Sequence, residues 1–395
     1  MSSELASGGW RATWANDPRG GERPWSAPEL DLKIKRPVEF SGLFVYNGKS
    51  SFFDKAFGRG FMNYLTMDFG GTLAKYSVMD ENCQVLLREE APAPKVSADQ
   101  YYDFVTDVYT RNKEKFDLQG IALSMPGVLD SDSGLLIGSG AYIPLHGHNV
   151  VNELRERVDV PVTMENDGKC GVLAEVWKGN LKDCTDGAVI ILGTAVAGGI
   201  VKDRKVHKGK RFTAGELSFA LVGIEDDMRS TAYYRCGVSP LLFNACMKKG
   251  IDVRKLPNHR LIEFPFIEDQ KTFSEWNDRP EYAHGMNGLQ FFELLEQGDP
   301  DITELYQQYL KDLARLVLNI QIFFDPDKIL IGGGISRQER LVPDIRAALA
   351  DLQEKVIMGY RFDTVIDVCY FMNEANQYGA LYHFLEKKKQ EESVK

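Results

Sequence analysis

Tyr64-Leu65-Thr66-Met67-Asp68-Phe69-Gly70-Gly71-Thr72 opens an apolar strand, turns it on two glycines and releases it into a second strand, Lys75-Tyr76-Ser77-Val78-Met79. The same order returns as Ala188-Val189-Ile190-Ile191-Leu192, then Gly193-Thr194, then Gly198-Gly199-Ile200-Val201. A second echo pairs the strand Gly120-Ile121-Ala122-Leu123-Ser124 and its turn Met125-Pro126-Gly127 with Lys328-Ile329-Leu330-Ile331 and Gly332-Gly333-Gly334. Two strand-and-glycine frameworks in one order predict a duplicated α/β chain whose related lobes face each other.

The connecting segments fit that plan. Helical spacing over 98–111 puts Tyr101, Phe104, Val105 and Val108 on one face. A helix fits 149–157, followed by the strand Pro161-Val162-Thr163-Met164, the stretch Glu165-Asn166-Asp167 and a helix from about Lys169 to Trp177. The strongest helical period runs over about 303–324, through Leu305, Tyr309, Leu313, Leu316, Val317, Ile320 and Phe324, and Pro326 stops it. A final helix over about 376–389 leads into a Lys/Glu-rich tail. Residues 1–61 differ. They hold eight Gly, four Pro and three of the five Trp, and no sustained period. Gly42 and Gly48-Lys49-Ser50 stand five residues apart where a phosphate-binding P-loop needs four, so this segment reads as an irregular accessory extension. The expected organisation is an extension at 1–61, lobes at 62–166 and 167–375, and a C-terminal helix and tail at 376–395 that packs back on the first lobe.

Composition bounds the function. The 395 residues are 44% hydrophobic, enough for a large core. With 47 Lys plus Arg against 57 Asp plus Glu the net charge is −10, which argues against nucleic-acid binding and against an anionic membrane surface. No apolar run is long enough to span a bilayer, and the N-terminus lacks a secretory pattern. Six scattered cysteines without a CxxC pair point to a reducing, cytoplasmic setting.

The residue types at the strand ends suggest chemistry. Glycine turns in facing lobes can clamp a polyphosphate, because glycine lets backbone N–H groups approach its oxygens, and Thr72 and Thr194 add hydroxyls. Asp68 can hold a Mg²⁺–phosphate complex, directly or through water, or simply shape its own turn. Lys75 can neutralise phosphate or lie exposed on its strand. Asp167 can take a proton from an attacking hydroxyl or cap the following helix, and spacing alone favours capping. His146 and His148 lack a third ligand and read as surface loop.

Taken together, Asp68-Phe69-Gly70-Gly71-Thr72, Ser124-Met125-Pro126-Gly127, Glu165-Asn166-Asp167, Leu192-Gly193-Thr194-Ala195-Val196-Ala197-Gly198-Gly199 and Ile331-Gly332-Gly333-Gly334-Ile335-Ser336 resemble the motifs of ROK (repressor, open reading frame, kinase) sugar kinases, over about Met62 to Glu386. The resemblance implies a two-lobed actin-like ATPase (ribonuclease H-like) fold with a duplicated βββαβα core and an interlobe cleft. It implies Asp167 as general base for a sugar 6-hydroxyl, and Pro126, Gly127, Asn166 and Glu216 as sugar-binding residues. Asp68, Gly70, Gly71, Thr72, Lys75, Gly193 and Thr194 would hold the ATP phosphates with Mg²⁺, Gly333 and Gly334 would lie near adenosine, and the chain would be a homodimer. Three departures carry information. Ala195 and Ala197 stand where the family usually has glycine. Phe219 replaces the histidine of zinc-bearing members, and the cysteine cluster expected after it is absent, so no zinc is expected. The pattern is similar to the zinc-less branch of β-glucoside kinases, with glucose or a β-glucoside as expected substrate and N-acetylmannosamine as an alternative. A ROK-type sugar-responsive regulator or a non-catalytic sugar binder are the competing readings.

Overall fold

A computed structural model describes residues 61–257, 273–356, 362–371 and 374–393. The expectation for the N-terminal extension, its Gly-Lys-Ser stretch included, lies outside the described residues, Phe61 apart.

The first lobe runs β1 (Asn63–Phe69), β2 (Leu73–Asp80), β3 (Val85–Pro92), α1 (Ala98–Phe116), β4 (Leu118–Met125), a small hairpin of β5 (Val128–Asp130) and β6 (Leu135–Gly138), α2 (Val150–Arg155) and β7 (Val162–Asn166). Its sheet has the order β3-β2-β1-β4-β7. After α3 (Asp167–Trp177) come β8 (Gly187–Leu192), β9 (Val196–Lys202), β10 (Lys205–Val206), α4 (Ala232–Cys236), α5 (Val238–Lys249), α6 (Gly288–Glu296), α7 (Pro300–Phe324), β11 (Lys328–Gly332), α8 (Leu341–Val356), β12 (Ile366–Val368) and α9 (Ala375–Ser393). The second sheet has the order β10-β9-β8-β11-β12. The two orders correspond strand for strand. In each, the first three strands are antiparallel and the last two lie parallel to the first. The repeated strand-and-glycine order in the sequence is therefore a repeated topology.

Local chemistry explains the boundaries. Ser97 caps α1 by accepting from the Gln100 N–H, and Asp117, at φ 49°, ends the helix in a left-handed turn. Tyr101, Tyr102, Val105, Val108 and Tyr109 form its buried face against the first sheet. The long helix α7 begins earlier than its apolar period suggests, because Asp299 caps it and Pro300 takes the first helical position, where a missing N–H does no harm. Left-handed Asp325 ends it just before Pro326. The helices α4, α5, α6 and α8 and the β5–β6 hairpin fill stretches for which the sequence reading offered no element.

Two helices join the halves. α3 starts at the end of β7 yet lies on β9 of the second sheet, and α9 packs on α3, β4, β1 and β7. Close approach dictates glycine at the α3–α9 crossing: a Cβ on Gly379 would stand 1.7 Å from the Cys170 carbonyl oxygen. Separate apolar cores lie under each sheet, and smaller clusters line α3 and α9. Among the described residues no helix is long and apolar enough to cross a membrane.

Candidate active site

The parallel strands deliver side chains to one edge. Their register sets Asp68 abreast of Ser124, Ser124 abreast of Glu165, and Met125 abreast of Asn166, all at the carboxyl ends of β1, β4 and β7. In the second sheet Gly332 is abreast of Ile191, so Gly193 and Gly333 follow at the matching edge. Carboxyl edges are where open α/β sheets bind ligands.

The capping question at β7–α3 has a clear answer. Asn166 is the cap, with extended backbone and a side-chain oxygen accepting the Lys169 N–H at 3.0 Å. Asp167 is the first helical residue. Its Oδ1 accepts from the Gly168 N–H at 2.8 Å and from the Asn166 amide at 3.0 Å. The Asn166 amide also donates to the Gly127 carbonyl at 2.8 Å, which locks cap and carboxylate to the turn after β4. Burial pushes the Asp167 carboxyl up to about 7, with the charges of Asp68 and Glu216 adding to the rise and the Gly168 and Asn166 donors opposing it. A carboxylate poised there is suited to proton transfer near neutral pH.

Asp68 is held by two remote donors, the Ser124 hydroxyl at 2.8 Å and the Asn376 amide at 3.0 Å, both to Oδ1. Burial raises its carboxyl, against those bonds and the charge of Lys75. Lys75 is the cross-strand partner of Asp68 on β2, half-buried beside Arg88, Glu89, Glu90, Glu374 and Gln377. Sequence reading singled out Asp68 and Lys75, quoted Ser124 only within the turn motif after β4 and gave Asn376 no role, because separation along the chain hides both contacts to Asp68. It also missed Lys95, whose ammonium touches the Gly71 carbonyl.

The glycines divide into two kinds. Gly127 and Gly333 are demanded by the fold: at φ 103° and 91° their Cβ atoms would lie 1.9 Å from the Gly138 oxygen and 2.0 Å from the Leu192 oxygen. Gly70 is intermediate, 3.0 Å from the Leu73 oxygen. Gly71, Gly193 and Gly334 have no such reason. A Cβ would meet nothing nearer than Ala141 Cβ at 4.0 Å, the Ala195 oxygen at 3.9 Å, and no atom within 4 Å, respectively. The protein leaves space over these three, which suits a group held from outside. Thr72 and Thr194 are exposed in the same turns, and Pro126 is half-buried before Gly127. The Ala197 methyl lies 3.3 Å from where a Cβ on Gly168 would stand, against the start of α3. Asp68, with one oxygen engaged by neutral donors, can serve Mg²⁺ through water, as the hard ion prefers.

Glu216 lies half-buried before a short 3-10 turn, and its Oε1 accepts from the Lys169 ammonium at 3.2 Å. Phe219 ends that turn and is 71% exposed. The segment beyond it is held by ion pairs. Arg235 donates to both Glu225 oxygens at 2.8 Å and reaches Asp312 at 3.3 Å. Among the described residues no group of three or more His, Cys, Asp or Glu side chains could hold a metal ion. His148 pairs with Glu153 at 3.1 Å and His146 is exposed.

A family model described as the ROK family matches residues 64–386. A β-glucoside kinase of Listeria innocua is 25% identical over 331 residues, covering 84% of this chain and 100% of the relative. An N-acetyl-D-glucosamine kinase of Escherichia coli is 26% identical over 298 residues, covering 73% of this chain and 88% of the relative. The crystal structure of a ROK family glucokinase from Streptomyces griseus in complex with glucose and AMPPNP superposes with a TM-score of 0.64 at 19% identity, over 81% of this chain and 98% of that one. That likeness fixes the fold as the actin-like ATPase type.

Proposed function

The chain belongs to the ROK family, and from that premise we propose that it is an ATP-dependent sugar kinase that phosphorylates a hexose at its 6-hydroxyl, with glucose or a β-glucoside as substrate. One observation carries the reading. Asp167 is relieved of capping by Asn166 and is left with a carboxyl near neutrality beside Asp68 and Glu216. Asp167 takes the proton of the acceptor hydroxyl. Asn166 and Glu216 hold the ring by hydrogen bonds, with Pro126 and Gly127 forming the turn beside them. Gly70, Gly71, Thr72, Lys75, Gly193 and Thr194 hold the ATP phosphates, and Gly333 and Gly334 border the adenosine. Asp68 would hold Mg²⁺, directly or through water, and the ion when bound would neutralise phosphate charge. Closure of the lobes 62–166 and 167–375 would exclude water from the reacting groups. The protein works as a cytoplasmic homodimer on small molecules, with neither nucleic acid nor membrane as partner.

The sugar choice is supported by Phe219. Without a histidine there, no imidazole demands the anomeric hydroxyl, so a substituted anomeric carbon is tolerated. Comparing ADP release with glucose, cellobiose and N-acetylmannosamine tests this. Turnover of the first two above the third is expected, and no turnover with any hexose would overturn the kinase reading. The rise of the Asp167 carboxyl to about 7 also sets a pH dependence. The base acts only when ionised, so kcat/KM should fall as pH drops through that value, as an initial-rate profile would show. A profile flat down to the ordinary carboxylate range would remove Asp167 from the role.

A further inference from the structure

The loop that carries Glu216 is tied to the stretch that carries Asp167 by two lysines running in opposite directions. Lys169, in the first turn of α3, has a side chain only 1% exposed. Its ammonium donates to Glu216 Oε1 at 3.2 Å and to the Phe212 carbonyl at 2.9 Å. Lys208, at the start of the loop, reaches back to Glu165 Oε2 on β7 at 3.0 Å, and that carboxylate is equally closed to solvent. Lys208 also touches the Ser131 hydroxyl and lies 3.9 Å from Asp132. The anchors Glu165 and Lys169 stand two residues to either side of Asp167, and the anchors Lys208 and Glu216 stand at the two ends of the loop. Between them the loop folds tightly on itself. Gly209, Phe212 and Gly215 have φ of 68°, 60° and 80°, and the Ala214 N–H donates to the Lys208 carbonyl at 3.2 Å.

Stability alone is a weak reason for this arrangement, since apolar residues of similar volume serve a core as well as buried ion pairs do. Geometry is a better one. Crossed pairs at both ends of the loop fix it against sliding and against lifting, and so set the distance between the Glu216 and Asp167 carboxylates. We propose that Lys169 and Lys208 form a reciprocal clasp that positions Glu216 against Asp167, so that the sugar ring is presented with its acceptor hydroxyl at the base. Both lysines are positioning residues, and the proposal rests on the kinase reading above. The clasp lies on the sugar side, so it governs sugar affinity and leaves the nucleotide alone.

The test uses the full chain with Lys169→Gln, Lys208→Gln and the double variant. Measurements are KM for glucose at saturating ATP, KM for ATP at saturating glucose, and hydrogen–deuterium exchange over 207–216. Each single change should raise the glucose KM by about 10- to 100-fold, the worth of a charge-assisted hydrogen bond, with the ATP KM within about twofold of wild type. The double variant should lose less than the product of the two, because both lysines hold one loop. Amides of the loop should exchange faster in every variant. An unchanged glucose KM in a folded variant, or sugar and ATP KM rising together, overturns the clasp. Lys208, with a side chain 22% exposed, keeps the test available if Lys169→Gln fails to fold. If the wild type phosphorylates no hexose, the kinase reading fails separately. Exchange still decides the clasp: faster loop exchange in the variants upholds it and identical exchange overturns it.

Discussion

Asp167→Asn is expected to slow hexose phosphorylation by about 100- to 10,000-fold while leaving hexose affinity nearly unchanged. The amide matches the carboxylate in shape, and its oxygen can still accept from the Gly168 N–H and the Asn166 amide. What disappears is the site for the proton. Stability should move the other way. Burial and the neighbouring carboxylates raise the folded-state carboxyl to about 7 from its ordinary 3.8. The folded protein therefore binds this proton more tightly than the unfolded chain. The stability tied to the group is fully present below the ordinary carboxylate range and is lost as pH rises through the folded value. The Asn variant, which never ionises, should melt at a higher temperature than wild type near pH 8, with the gain shrinking toward about pH 4. A slower and more stable variant is the signature of a carboxylate kept for chemistry. Thermal melts across pH beside initial rates check both halves, and a variant that is slower but less stable near pH 8 would contradict the account.

Gly333→Ala and Gly193→Val should fail in different ways. At φ 91°, with the new Cβ 2.0 Å from the Leu192 oxygen, Gly333→Ala has no room. Leu192 cannot yield easily, because it pairs with Val196 across β8 and β9. Left-handed strain of about 1–3 kcal/mol and overpacking of about 1–3 kcal/mol act together, so the melting temperature should fall by several degrees. Gly193 is different. The nearest protein atom to its absent Cβ is 3.9 Å away, so valine there should leave the fold intact. The branched side chain would occupy the space proposed for phosphate, and the ATP KM should rise at least about tenfold without change in sugar binding. Melting curves separate the first effect and nucleotide titrations the second. A Gly193→Val protein with wild-type ATP affinity would show that the turn does not face the nucleotide.

These contrasts mark how far the sequence could be read. The duplicated topology was legible because each lobe opens with an uninterrupted apolar strand and a glycine turn, signals that survive without tertiary information. Asp68 was legible for the same reason, but its hydrogen-bond donors were not: Ser124 is 56 residues away and Asn376 is 308 residues away. Asp167 was legible as a candidate base or a cap, with spacing favouring the cap, since both Asn166 and Asp167 are good capping residues and only the backbone angles and the Lys169 N–H decide which one caps. Lys169 reads as an ordinary helix lysine. It is buried because a loop some forty residues later closes over it, which no local pattern encodes. The edge strand β3, with Arg88, Glu89 and Glu90 exposed, lacks the apolar run that betrays a central strand.

In the proposed reaction Asp167 takes the proton of a sugar hydroxyl while ATP is held across from it. Glucose-dependent ADP release, measured for wild type and Asp167→Asn in one assay above neutral pH, is the decisive measurement. The wild type should give stoichiometric ADP and glucose 6-phosphate, and a folded variant that still binds glucose should be slower by at least about a hundredfold. Equal rates from the two proteins would take Asp167 out of the proton transfer.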